Sequence, residues 1–290
     1  MNILKSIRIW EIPSKLFNDL LPLLLEKPQE SHIYPDGKTG HIYVKVAEGH
    51  PDFGTALNFC ITHKIRYNAG RIRTYTRQEE KEALFSFVRM ERTMIADRSI
   101  YELDSSHACP RCGIGKCLQG SLRIKMSLFK KDLQRVTIGN DDIWIISMQL
   151  LSLIKDFKGY NIGCIYDHKG NKSDKYFRLN VDNVLPRMAK ITNYESISPV
   201  KCKCNRGGWV LRDEMFYSKD IFDKSMDFNL TIERFNDAQS QSLIVSKKAR
   251  DVIREYTKKY TYYEPIHIIE QDPPGAEYKF DLPLDCPNQT

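Results

Sequence analysis

The stretch IWIISMQLLSLIKDF, residues 143–157, decides how this chain is read, because SLIVSKKARDVIREY at 242–256 repeats its pattern. With Ser147 set against Ser246, two aliphatic residues precede each serine: Ile145-Ile146 and Ile244-Val245. A serine that closes an apolar run predicts a buried strand entering a helix, with the hydroxyl capping the first free N–H groups. Six, seven and ten positions beyond the serine stand Leu153, Ile154 and Phe157 in one stretch and Val252, Ile253 and Tyr256 in the other. That spacing places them on one helical face.

The match extends outward in both directions. SLRIKMSLF (121–129) and YNIGCIYD (160–167) flank the first stretch as candidate strands, and GWVLRDEMF (208–216) and YEPIHIIE (263–270) flank the second. KDL at 131–133 and KDI at 219–221 supply a further pair of similar triplets. Upstream of each half stands a cysteine pair, Cys109 and Cys112 in CPRCG, and Cys202 and Cys204 in CKCNRGG. Both halves therefore run cysteine knuckle, strand, strand, helix, strand. The expected fold is α+β, with mixed sheets and helices. Internally duplicated strand–helix–strand units would be joined by a zinc-knuckle site and preceded by an α+β N-terminal region. The boundaries implied are 1–104, 105–195 and 196–290, the last with an irregular tail.

Within 1–104, LKSIRIWE (4–11), HIYVKV (41–46) and RIRTYT (71–76) read as strands. Ser14 is placed to cap a helix over 15–27 with Leu20, Leu21, Leu24 and Leu25 on its apolar face. PDFGTALNFCITHK (51–64) reads as a short helix, and RQEEKEALFSFVRMER (77–92) as a longer one with a stripe of Ala83, Phe87 and Met90.

Zinc takes four tetrahedral ligands from cysteine and histidine. Cys109, Cys112, Cys202 and Cys204 form such a set, with Gly113, Gly207 and Gly208 beside them to permit tight turns. Two pairs about 90 residues apart do not make a compact zinc ribbon, but they suit one ion stapling two halves. Arg111, Lys116, Lys201, Lys203 and Arg206 stand beside the ligands to offset the thiolate charge. Three alternatives remain: Cys117 replacing one distal ligand, His107 as a ligand, and thiols that bind no metal. A four-cysteine site is closed and cannot activate water, so structural Zn2+ is the only cofactor expected.

The 290 residues are 41% hydrophobic and 28% charged, which is a globular composition. The net charge of +7 is spread among acidic residues rather than gathered in one block, so nucleic acid is not an expected partner. YTKKYTYYEP (256–265) interleaves lysine with tyrosine in a way that suits base stacking, but it reads better as a helix end leading into a strand. No export signal or membrane span is expected, because LLPLLL at 20–25 is short and interrupted by Pro22. A cytoplasmic location follows, where cysteines serve as metal ligands or core residues rather than disulfides. Cys60 and Cys164, each beside apolar residues, are expected in the core. Metalloprotease, zinc-deaminase, phosphate-loop and nucleophile-elbow patterns are absent, and Asp141-Asp142 reads as a turn. The chain is not expected to be an enzyme.

Over roughly 105–270, the order CPRCG, Ile-Ile-Ser helix unit, CKCN, Ile-Val-Ser helix unit resembles the double-CxxCG proteins among bacterial polymorphic-toxin immunity proteins. The second pair departs from the family pattern, being Cys202-Lys203-Cys204-Asn205, and residues 1–100 match no motif of it. The resemblance implies a non-enzymatic cytoplasmic protein that binds and neutralises a cognate protein toxin. A zinc-knuckle nucleic-acid-binding regulator is the alternative.

Overall fold

A computed structural model describes residues 2–90, 94–95, 103–106, 108–110, 116–118, 120–125, 132–138, 141–167, 169–196, 209–211, 214–235, 240–257 and 261–278. The fold is α+β. It divides into two compact units, Met1–Arg77 and Gln78–Thr290.

The first unit runs β1 (Asn2–Pro13), α1 (Ser14–Leu20), β2 (Glu30–Ile33), β3 (Thr39–Ala47), α2 (Pro51–Thr62) and β4 (Tyr67–Thr74). Its sheet has the order β2-β3-β1-β4 with antiparallel neighbours, a split βαβ arrangement. Alternation sends Ile7 and Ile9 of β1 and Ile42, Val44 and Val46 of β3 to one face, where Phe17, Leu20, Ala56 and Cys60 of the helices cover them. α1 ends at Leu20 rather than continuing to 27, because Pro22 lies in the 3-10 turn Leu21–Leu23 that follows. Leu25 is consequently 76% exposed, and Ser14 donates its hydroxyl to the Gly37 carbonyl (2.6 Å) instead of capping the helix.

The second unit opens within α3 (Arg77–Glu82) and continues with β5 (Phe85–Met90), β6 (Met94–Ile95), β7 (Leu103–Asp104), β8 (Cys117–Leu118), β9 (Leu122–Arg123), β10 (Leu133–Ile138), β11 (Asp141–Ser147), α4 (Met148–Ile154), β12 (Tyr160–Gly163), β13 (Ile165–Tyr166) and β14 (Tyr176–Val181). It ends with β15 (Tyr194–Ser196), β16 (Trp209–Leu211), β17 (Met215–Ser218), α5 (Lys219–Phe222), β18 (Phe228–Phe235), β19 (Ser240–Ser246), α6 (Lys247–Thr257) and β20 (Thr261–Ile269). Its two larger sheets have the orders β12-β14-β11-β10-β6 and β15-β16-β18-β19-β5-β20-β17, and β13 with β9 and β7 with β8 form two-stranded ones.

These sheets contain matching halves. In each, an antiparallel hairpin (β10–β11 or β18–β19) ends in a serine that begins a helix. Ser147 Oγ accepts from Leu150 N–H (3.1 Å) and donates to Asp132 Oδ1 (2.7 Å). Ser246 Oγ accepts from Ala249 N–H (3.2 Å) and donates to Asp227 Oδ1 (2.7 Å). The next strand in sequence, β12 or β20, does not pair with the hairpin. A strand lies between them, β14 in one sheet and β5 in the other. Even the entry to that strand matches: Met148 N–H donates to the Lys175 carbonyl, and Lys247 N–H to the Leu84 carbonyl. The partner of Asp132-Leu133 is therefore Asp227-Phe228, not Asp220-Ile221, which lies inside α5.

Leu150, Ile154, Ala249 and Ile253 of the two helices share one core with Leu133, Trp144, Ile146, Phe228, Leu243 and Val245. Segments 105–195 and 196–290 thus meet in a common interior. The predicted apolar face is only partly buried: Ile154 and Ile253 are enclosed, whereas Leu153 is 42% and Tyr256 37% exposed.

The helix expected over 77–92 stops at Glu82, and Phe85–Met90 is a strand between β19 and β20. The two compact units meet at Arg77/Gln78, and β5 is built into the second unit's larger sheet. Fully buried Arg250 holds the switch point. Its guanidinium donates to the carbonyls of Glu80, Lys81 and Ala83 and to Ser86 Oγ, satisfying the orphan acceptors at the end of α3. The expected strand at 160–167 is divided into β12 and β13; of those at 121–129 and 208–216 the structure shows β9, β16 and the start of β17, while 126–129, 208, 212 and 213 lie outside the described residues.

Asp227 also binds the other half, because its Oδ2 accepts from Lys158 N–H (3.0 Å). The next residue, Gly159, has φ +97°, and a Cβ there would stand 2.1 Å from the Phe228 carbonyl oxygen. Replacing Asp227 with Ala should lower unfolding free energy by about 2 kcal/mol, the scale of a weakened cap plus two lost hydrogen bonds to a charged acceptor. In a double-mutant cycle with Ser246→Ala, measured by urea denaturation, the two losses should be strongly non-additive. Additive losses would show that the carboxylate and hydroxyl do not act together.

Candidate metal centre

Each cysteine pair lies in a loop closed by a short antiparallel ladder. β7 pairs with β8 through Leu103↔Leu118 and Asp104↔Cys117, so CPRCG occupies the intervening loop. At its base Asp104 Oδ1 accepts from Ser106 N–H (2.8 Å) and the Ser105 carbonyl accepts from Ala108 N–H (2.9 Å). That turn leads into Cys109, which is partly buried. β15 pairs with β16 through Tyr194↔Leu211 and Ser196↔Trp209, so CKCNRGG falls in the loop of a second hairpin.

Of the four expected ligands, Cys109 is described, while Cys112, Cys202 and Cys204 lie outside the described residues, as does His107. Among the described residues no group of three or more His, Cys, Asp or Glu could hold a metal ion. The case for zinc at this centre therefore rests on the donor chemistry, four soft thiolates, and on the two hairpins that carry them.

Other candidates have structural uses. Cys60 is in the core of the first unit as expected, and burial pushes its thiol up to about 11, away from reactivity. Cys164 is instead exposed, because the chain leaves one sheet after β12 and enters another pairing at β13. Asp142 lies on β11, not in a turn, and is paired with Arg135 (3.2 Å). In the tyrosine-rich segment Tyr263 is buried beneath the Arg254 guanidinium, which lies 5.4 Å from its ring centroid. Among the described residues no helix is long and apolar enough to cross a membrane.

One group escaped sequence reading. Plain alternation along FNLTIERF sends Glu233 to the face opposite Phe228, which would normally be solvated. Here Leu185, Met188, Tyr194 and Tyr217 cover that face, and Glu233 is 1% exposed. Its Oε1 accepts from Met188 N–H (2.8 Å), and the Tyr194 side chain lies beside the carboxyl. Burial pushes its carboxyl up from 4.5 to about 7, against the opposing pull of the Met188 N–H and the Arg187 charge. No family model, curated protein or solved structure matches the chain.

Two predictions follow from these sites. Replacing Cys109 or Cys202 with Ser should release bound zinc and sharply lower the melting temperature. Parent-like melting of both variants would remove the shared site. For Glu233, the folded state holds its proton to higher pH than the unfolded chain. Stability should therefore fall as pH rises from about 4.5 through about 7. The total loss is on the order of 3 kcal/mol at 1.36 kcal/mol per pKa unit. Glu233→Gln should remove that slope in thermal melts across pH, and an unchanged slope would place the titration elsewhere.

Proposed function

We propose that this chain is a non-enzymatic, zinc-stapled protein that binds and neutralises a cognate bacterial toxin in the cytoplasm. What supports the reading is the sequence position of each cysteine pair, between the paired strands β7 and β8 in one case and β15 and β16 in the other. The double-CxxCG resemblance expects two such knuckles. The matching hairpin–serine–helix halves support an origin by internal duplication. A closed site with four thiolates clamps chain segments without offering a coordination position for chemistry, so the function assigned to it is scaffolding. Recognition would then fall to exposed charged and aromatic side chains, which set specificity and association rate.

The test is co-expression with the product of the adjacent gene in a bacterial host. The neighbour alone should arrest growth, this chain should restore it, and the two should co-purify. Growth arrest unrelieved by a folded, soluble chain would contradict the reading.

A further inference from the structure

We propose that the uncovered face of the first unit's sheet binds single-stranded nucleic acid, an activity separate from toxin neutralisation and independent of the zinc site. The helices α1 and α2 cover only the face carrying Ile7, Ile9, Ile42, Val44 and Val46. Alternation and register place Arg8 and Trp10 of β1 beside Tyr43 and His41 of β3 on the other face, at the centre of the sheet. His32 and Tyr34 extend the row at the β2 side.

These rings form a connected row, with His41 buried at its centre and the others open to water in part or in full. The His32 and Tyr34 centroids are 5.3 Å apart, those of His32 and His41 5.4 Å, and those of Trp10 and His41 6.3 Å. The Arg8 guanidinium lies 4.4 Å from the Tyr43 ring centroid. Arg8 and His32 are exposed, while Trp10, Tyr34, Tyr43 and Lys45 are partly exposed. Large rings left partly open to water on central strands leave apolar area uncovered, a cost that a ligand could remove.

The backbone around Trp10 is also unusual. Ile9 pairs with Ile42 but Ile12 pairs with Gly40, so Trp10 and Glu11 together oppose His41 in a bulge. Glu11 has φ +54°, a conformation that costs a side chain with a Cβ. Bulges of this kind re-aim side chains and collect at functional positions.

The occupant follows from the side-chain chemistry. Aromatic faces accept nucleobases of any sequence by stacking, and interleaved Arg and Lys accept phosphates. Residues 1–77 carry 11 Lys and Arg against 7 Asp and Glu, a net charge of +4, which favours a polyanion. The acidic member of this face, Glu30, stands 3.3 Å from His41 Nε2. An acidic peptide would match the charge but leave the row of rings without stacking partners.

The test is fluorescence anisotropy of the full chain with labelled eight-nucleotide poly-U and poly-dT at 50 mM salt, with duplex DNA as comparison. Single strands should bind more tightly than duplex, and affinity should fall as salt rises. Trp10→Ala and Tyr43→Ala should each weaken binding about tenfold, and Arg8→Ala should weaken it and flatten the salt dependence. Glu30→Gln should strengthen it. Thermal melts identify any variant that fails to fold, and Arg8→Ala, being exposed, serves as the variant least demanding on the fold. The ratio of poly-U to poly-dT affinity separates RNA from DNA as the source. Absence of binding to either strand at low salt would overturn the proposal, as would binding that all three weakening variants leave unchanged. Loss of toxin binding in these variants, with no nucleic-acid binding by the parent, would assign the face to a protein instead.

Discussion

Two hydrogen-bonded caps, one buried and one partly buried, organise the larger unit. In each, an aspartate at the start of a hairpin accepts a hydrogen bond from a serine hydroxyl at the hairpin's end, and the serine oxygen in turn accepts from the following helix. The carboxylate also lies at a helix N-terminus, where partial positive charge favours it. One short device thereby fixes the register of a hairpin, the start of a helix and the direction in which that helix leaves the sheet. Asp227 adds a bond to Lys158 N–H and so joins the two halves directly.

The halves match in space more closely than in chain order. The strand lying between hairpin and following strand is β14, downstream, in one sheet, and β5, far upstream, in the other. The second arrangement is a long-range pairing that needs an anchor. Arg250 provides it by gathering the carbonyls at the end of α3, while Arg254 pairs with Glu80 alongside. A buried guanidinium is tolerable here because the Asp251 carboxylate pairs with its charge (3.0 Å) and its remaining donors go to Ser86 Oγ and to backbone carbonyls that would otherwise be unpaired.

The serine-capped helices and their preceding strands were legible because an apolar run ending in serine has few competing readings. β5 was not. RQEEKEALFSFVRMER has helical formers at its start, and Ala83, Phe87 and Met90 satisfy a helical stripe, yet FSFVRM also alternates as a strand. Only the vacancy between β19 and β20, invisible locally, decides between them. Glu233 was hidden for a related reason: which sheet faces are covered twice depends on where segment 183–192 runs. The cysteine pairs were visible as residues, and the strands that bracket them, β7 with β8 and β15 with β16, were not. The aromatic row of the first unit is dispersed over Trp10, His32, Tyr34, His41 and Tyr43, and only the strand order brings these together.

The account's central claim is that thiolates from two separate hairpin loops close around one ion. X-ray absorption spectroscopy at the zinc edge on freshly purified full-length protein, with elemental analysis of the same sample, tests it most directly. One zinc per chain with four sulfur neighbours at about 2.3 Å is the predicted result. Protein free of zinc, or zinc bound through fewer than three sulfurs, would contradict it.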